Sequence, residues 1–476
     1  MTSVVFSSHI FLFYFLPLVV AVYYLVPTVL RHPWLTLSSY VFYGWWNPWF
    51  TLLMLGSTAI DYACGKGITA PGASQHQKKL WMLASVVSNL AILAFFKYTG
   101  FAIDTADTLS QAFGGSGVTV PDFFRTIVLP VGISFYTFQS MSYSIDLYRD
   151  HAVPAKSFMD FACYVSLFPQ LVAGPIVRYG SVADQLHSRP HSLPIFTAGL
   201  ARFGFGLAKK ILLADAMGPI ADAAFGAGGG NLTTFSAWAG VIAYAFQIYF
   251  DFSAYSDMAI GLGRMFGFTF VENFDSPYKS ASITEFWRRW HISLSSFLRD
   301  YLYIPLGGNR IGPVRTYANL MTVMIIGGLW HGAQWTFVVW GTIHGAMLAW
   351  ERLTARHGWF KGVPKPFKVV TTFIIVLFTW VFFRAETFDV AWRYLAAMFG
   401  RETLNATAPL LESRVLSDFN VIQLLIASVV AFTLPNTQTI LHRFTASKAL
   451  LGFFLLLIAI AVMFARGYSP FLYFQF

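Results

Sequence analysis

Apolar residues recur in long runs from one end of this 476-residue chain to the other. The runs cover residues 10–26, 34–55, 80–96, 127–145, 158–176, 196–213, 235–263, 317–350, 369–383, 421–434 and 450–464. A bilayer core about 30 Å thick takes roughly 20 apolar residues per helix, so each run predicts a helix that crosses or enters a membrane. Breakers fall between them: Pro27, Pro33, Gly67 and Gly72, Gly114 and Gly117, Pro190 and Pro194, and the glycine cluster at 226–230. A transmembrane barrel would show segments of about ten residues alternating in polarity, whereas these runs are longer and apolar all round. The pattern predicts an all-α polytopic membrane protein, with one membrane domain filling residues 1–476 and no internal repeat. The run 10–26 has the length of a signal peptide, but the first basic residue, Arg31, comes after it, so it is expected to be an uncleaved first span.

Two stretches break the pattern. Residues 280–315 read SASITEFWRRWHISLSSFLRDYLYIPLGGNRIGPVR. Glu285, Arg288, Arg289, Arg299 and Asp300 are interleaved there with Phe286, Trp287, Trp290, Phe297 and Tyr301. Such a density of charge cannot face lipid tails; it lies in the interface or lines a polar interior. Ser282, three residues before Glu285, predicts a capping box. The second stretch, 317–350, would be about 50 Å long as one helix, too long for one upright span and too short for two full spans and a loop. It holds Gly327, Gly328, Gly332, Gly341 and Gly345, with His331 near its middle. Arg299, Arg310 and Arg315 precede it, and Arg352, Arg356, Lys361, Lys365 and Lys368 follow it. With both flanks cytoplasmic, the segment enters the membrane and returns, and Trp330–His331 sits at depth.

Composition narrows the class further. Hydrophobic residues make up 56% and charged ones 11%, against about 25% charged in a soluble domain. That excludes a water-soluble globule and a disordered chain. The net charge of +10 fits cytoplasmic loops rich in Lys and Arg; no soluble basic face points to nucleic acid. Two cysteines, Cys64 and Cys163, make neither a disulfide framework nor a zinc site. No metal or bound cofactor is expected, and no phosphate-cradling loop, HExxH or GxSxG motif is present.

Among the histidines, His32, His76, His151, His187, His191 and His357 lie in polar context and are expected to be solvated. His291, His331 and His344 lie in apolar context. His344 is expected to be a satisfied structural hydrogen-bonding residue. His331 is bracketed by Gly327, Gly328 and Gly332, which leave room beside the backbone, with Trp330 and Trp335 as walls. Burial favours a neutral imidazole, the form needed to take a proton from an alcohol attacking a thioester or ester. His331 is therefore expected to be a general base. His291 shares a helical face with Trp287, Arg288 and Ser295. It either assists as a neutral hydrogen-bond partner or makes a structural bond within a charged helix. Asp251 and Asp257, inside an apolar run, are expected to pair with Arg264 or with Arg288 and Arg289.

These motifs resemble a known family. FWRRWHISLSSFLRDYLYIPLGGNR, then GGLWHGAQWTFVVWGTIHG, with FPQLVAGPIVRY and YFDFSAYSDMAIGLG upstream, resemble in consistent order the membrane-bound O-acyltransferase (MBOAT) superfamily. Together with the N-terminal VFSS and FLFYFLP segments they resemble its bacterial alginate and polysaccharide O-acetyltransferase branch. The resemblance implies a ring of tilted helices around a thin central region with a tunnel, plus short re-entrant or interfacial helices. It implies that His331 and His291 are the catalytic residues, in a core spanning about 240–350. Trp330, Trp287, Trp290, Arg288, Arg289, Asn309 and Gly328 are candidates to line the tunnel. It also implies an acetyl group taken from a cytoplasmic donor, acetyl-CoA or another acyl thioester, and moved across a bacterial inner membrane. Periplasmic partner proteins of a polysaccharide export complex would receive or transfer it. The competing readings are a non-enzymatic acyl-group transporter, which internal repeats would favour, and a scaffold of the export complex.

Overall fold

The computed structural model describes residues 5–172, 174–355 and 362–466. Among them every regular element is a helix. The chain divides into two compact units: Met1–Leu200 with Ala259–Val271, and Ala201–Met258 with Glu272–Phe476.

Three described helices are long and apolar enough to cross a membrane: Gln75–Ala112, Lys365–Arg384 and Ala446–Ala465. The pair Ala408–Val415 and Asp418–Phe432, bent by 50°, makes a fourth if it counts as one span. The sequence suggested more, and the difference has two physical causes. Some runs are interrupted. The run 34–55 splits into Arg31–Gly44 and Pro48–Ile68, because Asn47 caps the second helix and Pro48 opens it. The run 158–176 stops as a helix at Ser166. Others carry polar residues that face inward. The helix Ile133–Tyr148 buries Thr137, Gln139, Ser140, Ser142 and Ser144, which lowers its mean hydropathy without exposing polar groups to lipid.

In the first unit, Asp61 is buried and accepts hydrogen bonds from Ser85 Oγ at 2.6 Å and Asn89 Nδ2 at 2.8 Å. Two histidines expected in solvent are instead bonded. His32 lies 2.7 Å from Asp160 and 2.8 Å from Arg189, and His191 lies 2.9 Å from Tyr23 OH. Cys64 and Cys163 are buried free thiols.

In the second unit, the helix Leu193–Ala208 passes into a π-helical turn, Lys209–Ala214. The wider turn lets neighbouring Lys209 and Lys210 both reach acids on the helix Thr234–Met265. Lys209 pairs with Asp257 at 2.6 Å, and Lys210 with Asp251 at 2.7 Å and Asp215 at 2.8 Å. Arg202 binds Asp257 at 2.8 Å and also Glu272. Asp251 and Asp257 are thus ion-paired as expected in kind, but their partners are Lys210, Lys209 and Arg202. Arg289 bonds Glu285 and Asp275 instead. Sequence spacing favoured near neighbours; the pairing comes from a helix some fifty positions earlier.

Candidate active site

The segment around His331 is a helical hairpin. Its first arm runs Pro313–His331 and its second Trp335–Ala355. The arms have 19 and 21 residues, or about 28 and 31 Å at about 1.5 Å per residue. The apolar run alone suggested too little chain for two full-length arms. Both helices continue into polar residues at their outer ends, Pro313–Thr316 and Glu351–Ala355, and that supplies the missing length. His331 is the last residue of the first arm, and the backbone turns at Gly332.

Glycines let the arms touch backbone to backbone. A Cβ on Gly328 would collide with the carbonyl of Phe337, and one on Gly341 with the carbonyl of Met324. This corrects the reading of Gly328 as tunnel lining, since the second arm fills the space beside it. Gly332 likewise faces the ring of Phe337.

His331 is 4% exposed. Its ring is surrounded by Trp330, Trp340 and Phe383, at centroid distances of 5.0, 5.3 and 5.3 Å. His291, 0% exposed, lies 6.2 Å from it, centroid to centroid. The two histidines, forty positions apart in the chain, therefore share one aromatic interior, in which Trp330 also contacts His291 at 5.9 Å.

The charged stretch forms two short helices, Ile283–Arg289 and Ile292–Leu298, and His291 stands at their junction with φ 44°, in the left-handed region. Few non-glycine residues adopt this conformation. Half of the expected capping box forms: Ser282 Oγ accepts from the Glu285 N–H at 3.0 Å. The Glu285 carboxylate reaches the Ala281 N–H rather than the cap residue's own. A second carboxylate seats the same helix end. Glu351, at the end of the second arm, accepts from the N–H of Ile283 at 2.6 Å, the N–H of Thr284 at 2.8 Å and the hydroxyl of Thr284 at 2.7 Å. Of the basic stretch that follows, residues 356–361, with Arg356, His357 and Lys361, lie outside the described residues.

The remaining expected site residues separate. Trp290 is buried between Phe286, Phe274 and Trp380. Trp287 donates its indole N–H to His344 Nδ1 at 3.2 Å. Arg288 is exposed, Arg289 is paired with Glu285 and Asp275, and Asn309 is exposed in the turn before the first arm. The helical face His291 was expected to share with Trp287, Arg288 and Ser295 is broken at the junction of the two short helices; the side chains against its ring are instead Asn273, Ser293, Phe252, Trp330 and His331. Asn273, Trp340 and Phe383 went unnoticed in the sequence because each lies in a different segment from the histidine motifs or reads as ordinary core.

His344 bears out its structural reading. It accepts from Trp287, and its Nε2–H donates to Thr379 Oγ1 at 3.1 Å, while that hydroxyl donates to the carbonyl of Val376 at 2.8 Å. Both ring nitrogens are in use. His344→Ala should lower the thermal midpoint, because it strands the Trp287 donor at about 1–3 kcal/mol. Transfer per folded molecule should change only a few-fold. A fall as deep as that from loss of His331, in protein of unchanged melting temperature, would overturn this assignment. Among the described residues no group of three or more His, Cys, Asp or Glu is placed to hold a metal ion.

Comparison with known proteins gives the family. Residues 45–385 match the model of the membrane-bound O-acyltransferase family. The chain is 44% identical to the "Probable alginate O-acetylase AlgI" of Azotobacter vinelandii, over 99% of this chain and 100% of that protein. It is 48% identical to the protein of the same description in Pseudomonas aeruginosa, over 83% of this chain and 75% of the relative. It is 34% identical to the "Peptidoglycan O-acetyltransferase" of Helicobacter pylori, over 99% of this chain and 97% of that one. The transporter and scaffold readings give way to an enzyme that makes and breaks acyl bonds. With its multi-pass helical architecture and a match that includes both buried histidines, the chain belongs to the membrane-bound O-acyltransferase family.

Proposed function

We propose that the protein O-acetylates an exopolysaccharide, such as alginate or cellulose, at the His331–His291 pair. The observation that carries this reading is the placement of two buried imidazoles 6.2 Å apart at the turn of the hairpin. The relatives named for alginate and peptidoglycan acetylation support a glycan as the final acceptor. The donor is a cytoplasmic acyl thioester, acetyl-CoA above all. The acceptor hydroxyl attacks the acyl carbon, its proton passes to the histidine pair with His331 as the base, and the thiolate leaves as the new ester forms. Excluding water from this interior protects the thioester from hydrolysis. The family's ring of tilted helices with a tunnel would let donor and acceptor meet from opposite faces of the inner membrane. Periplasmic partner proteins of an export complex would carry the acetyl group onward. Deleting the protein from its host should strip O-acetyl esters from an exported glycan, and restoring it should return them. Unchanged ester content would sink the reading.

The same reading sets the topology. The segment 352–368, which includes the end of the second arm and the start of the helix Lys365–Arg384, carries five basic residues, Arg352, Arg356, Lys361, Lys365 and Lys368, and should be cytoplasmic. A single cysteine placed at Lys365, in a background lacking Cys64 and Cys163, should resist an impermeant maleimide in spheroplasts and react after lysis. Labelling before lysis would reverse the orientation.

A further inference from the structure

We infer that Asn273 is a positioning residue that locks His291 as the Nδ1–H tautomer, so that Nε2 offers a lone pair to the acceptor hydroxyl. The inference rests on the proposed role of the histidine pair. Asn273 is buried beside His291. The backbone N–H of Ser293 donates to Asn273 Oδ1 at 3.2 Å, and the Ser293 hydroxyl donates to it at 2.8 Å. A backbone N–H can only donate, so it settles which end of the carboxamide is oxygen. The other end, Nδ2, donates to Ser256 Oγ at 3.1 Å. His291 Nδ1 lies 3.2 Å from the same Oδ1. Two lone pairs cannot bond, so Nδ1 carries the hydrogen and the neutral ring has its lone pair at Nε2. The opposite arrangement would need the Ser293 hydroxyl to donate to Nδ1 across 3.5 Å, with its hydrogen already directed at Asn273.

Asn273 also grips the backbone. Its carbonyl accepts the Ile292 N–H at 2.9 Å, beside the left-handed residue that would otherwise relax. The segment bearing Asn273 is itself anchored, since Arg202 ties Glu272 to Asp257 while Asn273 bonds Ser256. His291 Nε2 is buried and has no hydrogen-bond partner among the described residues. A buried acceptor nitrogen calls for a donor. Of the two reactants, the acceptor brings an O–H and the acyl carbonyl brings only lone pairs. Nε2 therefore receives the acceptor hydroxyl as it enters, before its one hydrogen turns to His331 for transfer, and does not polarise the acyl group.

The test uses the full chain in membranes, comparing wild type with Asn273→Leu and Asn273→Asp. The ¹⁵N resonances of labelled histidine, with His291 assigned by its loss in His291→Gln, report the tautomer without reference to catalysis. Wild type should show Nε2 unprotonated. Asn273→Leu should show a mixture and lower the rate of ester formation per folded protein about 10–100-fold. Asn273→Asp, which still accepts from Nδ1–H, should restore the tautomer and most of the rate. A proton on Nε2 in wild type overturns the inference, as does an aspartate variant that folds but is no better than leucine. A lost tautomer with an unchanged rate overturns instead the role of His291 in transfer, and the positioning role with it.

Discussion

Replacing His331 with alanine should abolish detectable acyl transfer while the protein still folds and inserts. The imidazole stands at the end of the first arm, enclosed by Trp330, Trp340 and Phe383 and facing His291. An alcohol has a pKa far above neutrality, so attack on an acyl carbon needs a base within reach. Losing a general base costs about 10²–10⁴-fold in rate, and here the ring also helps shape the site. Stability should change little by comparison, because the hairpin is held by contacts between backbones at Gly328 and Gly341, which the substitution leaves alone. Membranes containing equal amounts of wild-type and variant protein, supplied with labelled acetyl-CoA and acceptor, provide the comparison. Transfer close to the wild-type rate would end the case for His331.

The largest loss of stability is expected from Arg202→Met. Arg202 is 2% exposed and holds Asp257 and Glu272 at once. Asp257 keeps Lys209, but Glu272 loses its ion pair and the segment leading to Asn273 loses its anchor. Breaking a buried ion pair from one side costs about 3–5 kcal/mol. The variant should melt well below wild type in detergent. Arg202→Lys should recover only part of the loss, because an ammonium cannot span two carboxylates with a planar fork. A melting temperature unchanged in Arg202→Met would show that the cluster adds nothing net to the fold.

Membrane class, helical architecture and the apolar setting of both histidines could be read from the chain, because each writes itself locally. Apolar runs announce helices, and His331 stands out against Gly327, Gly328 and Gly332. What escaped was set by residues distant in sequence. The acids at 251 and 257 found lysines and an arginine on a preceding helix, where a π-helical turn changes the facing of Lys209 and Lys210. No spacing rule anticipates that turn. Asn273 lies in an irregular segment with no motif of its own, and its value comes only from the folded approach of Ser293 and His291. The glycines of the hairpin misled for a related reason: small residues signal closeness, but not whether the neighbour is a ligand or another helix.

In mechanical terms Glu351 is a rivet. It fastens the start of the charged helix to the far end of the second arm through three hydrogen bonds. The gap between His291 and His331 is then spanned by a closed frame of arm, rivet and short helix, as well as by the chain between them. A disturbance at the rivet, remote from the chemistry, is delivered to that gap. Widening it by even an ångström would misplace a reacting oxygen. A change at Glu351 therefore reaches the spacing of the two rings without a change at either histidine.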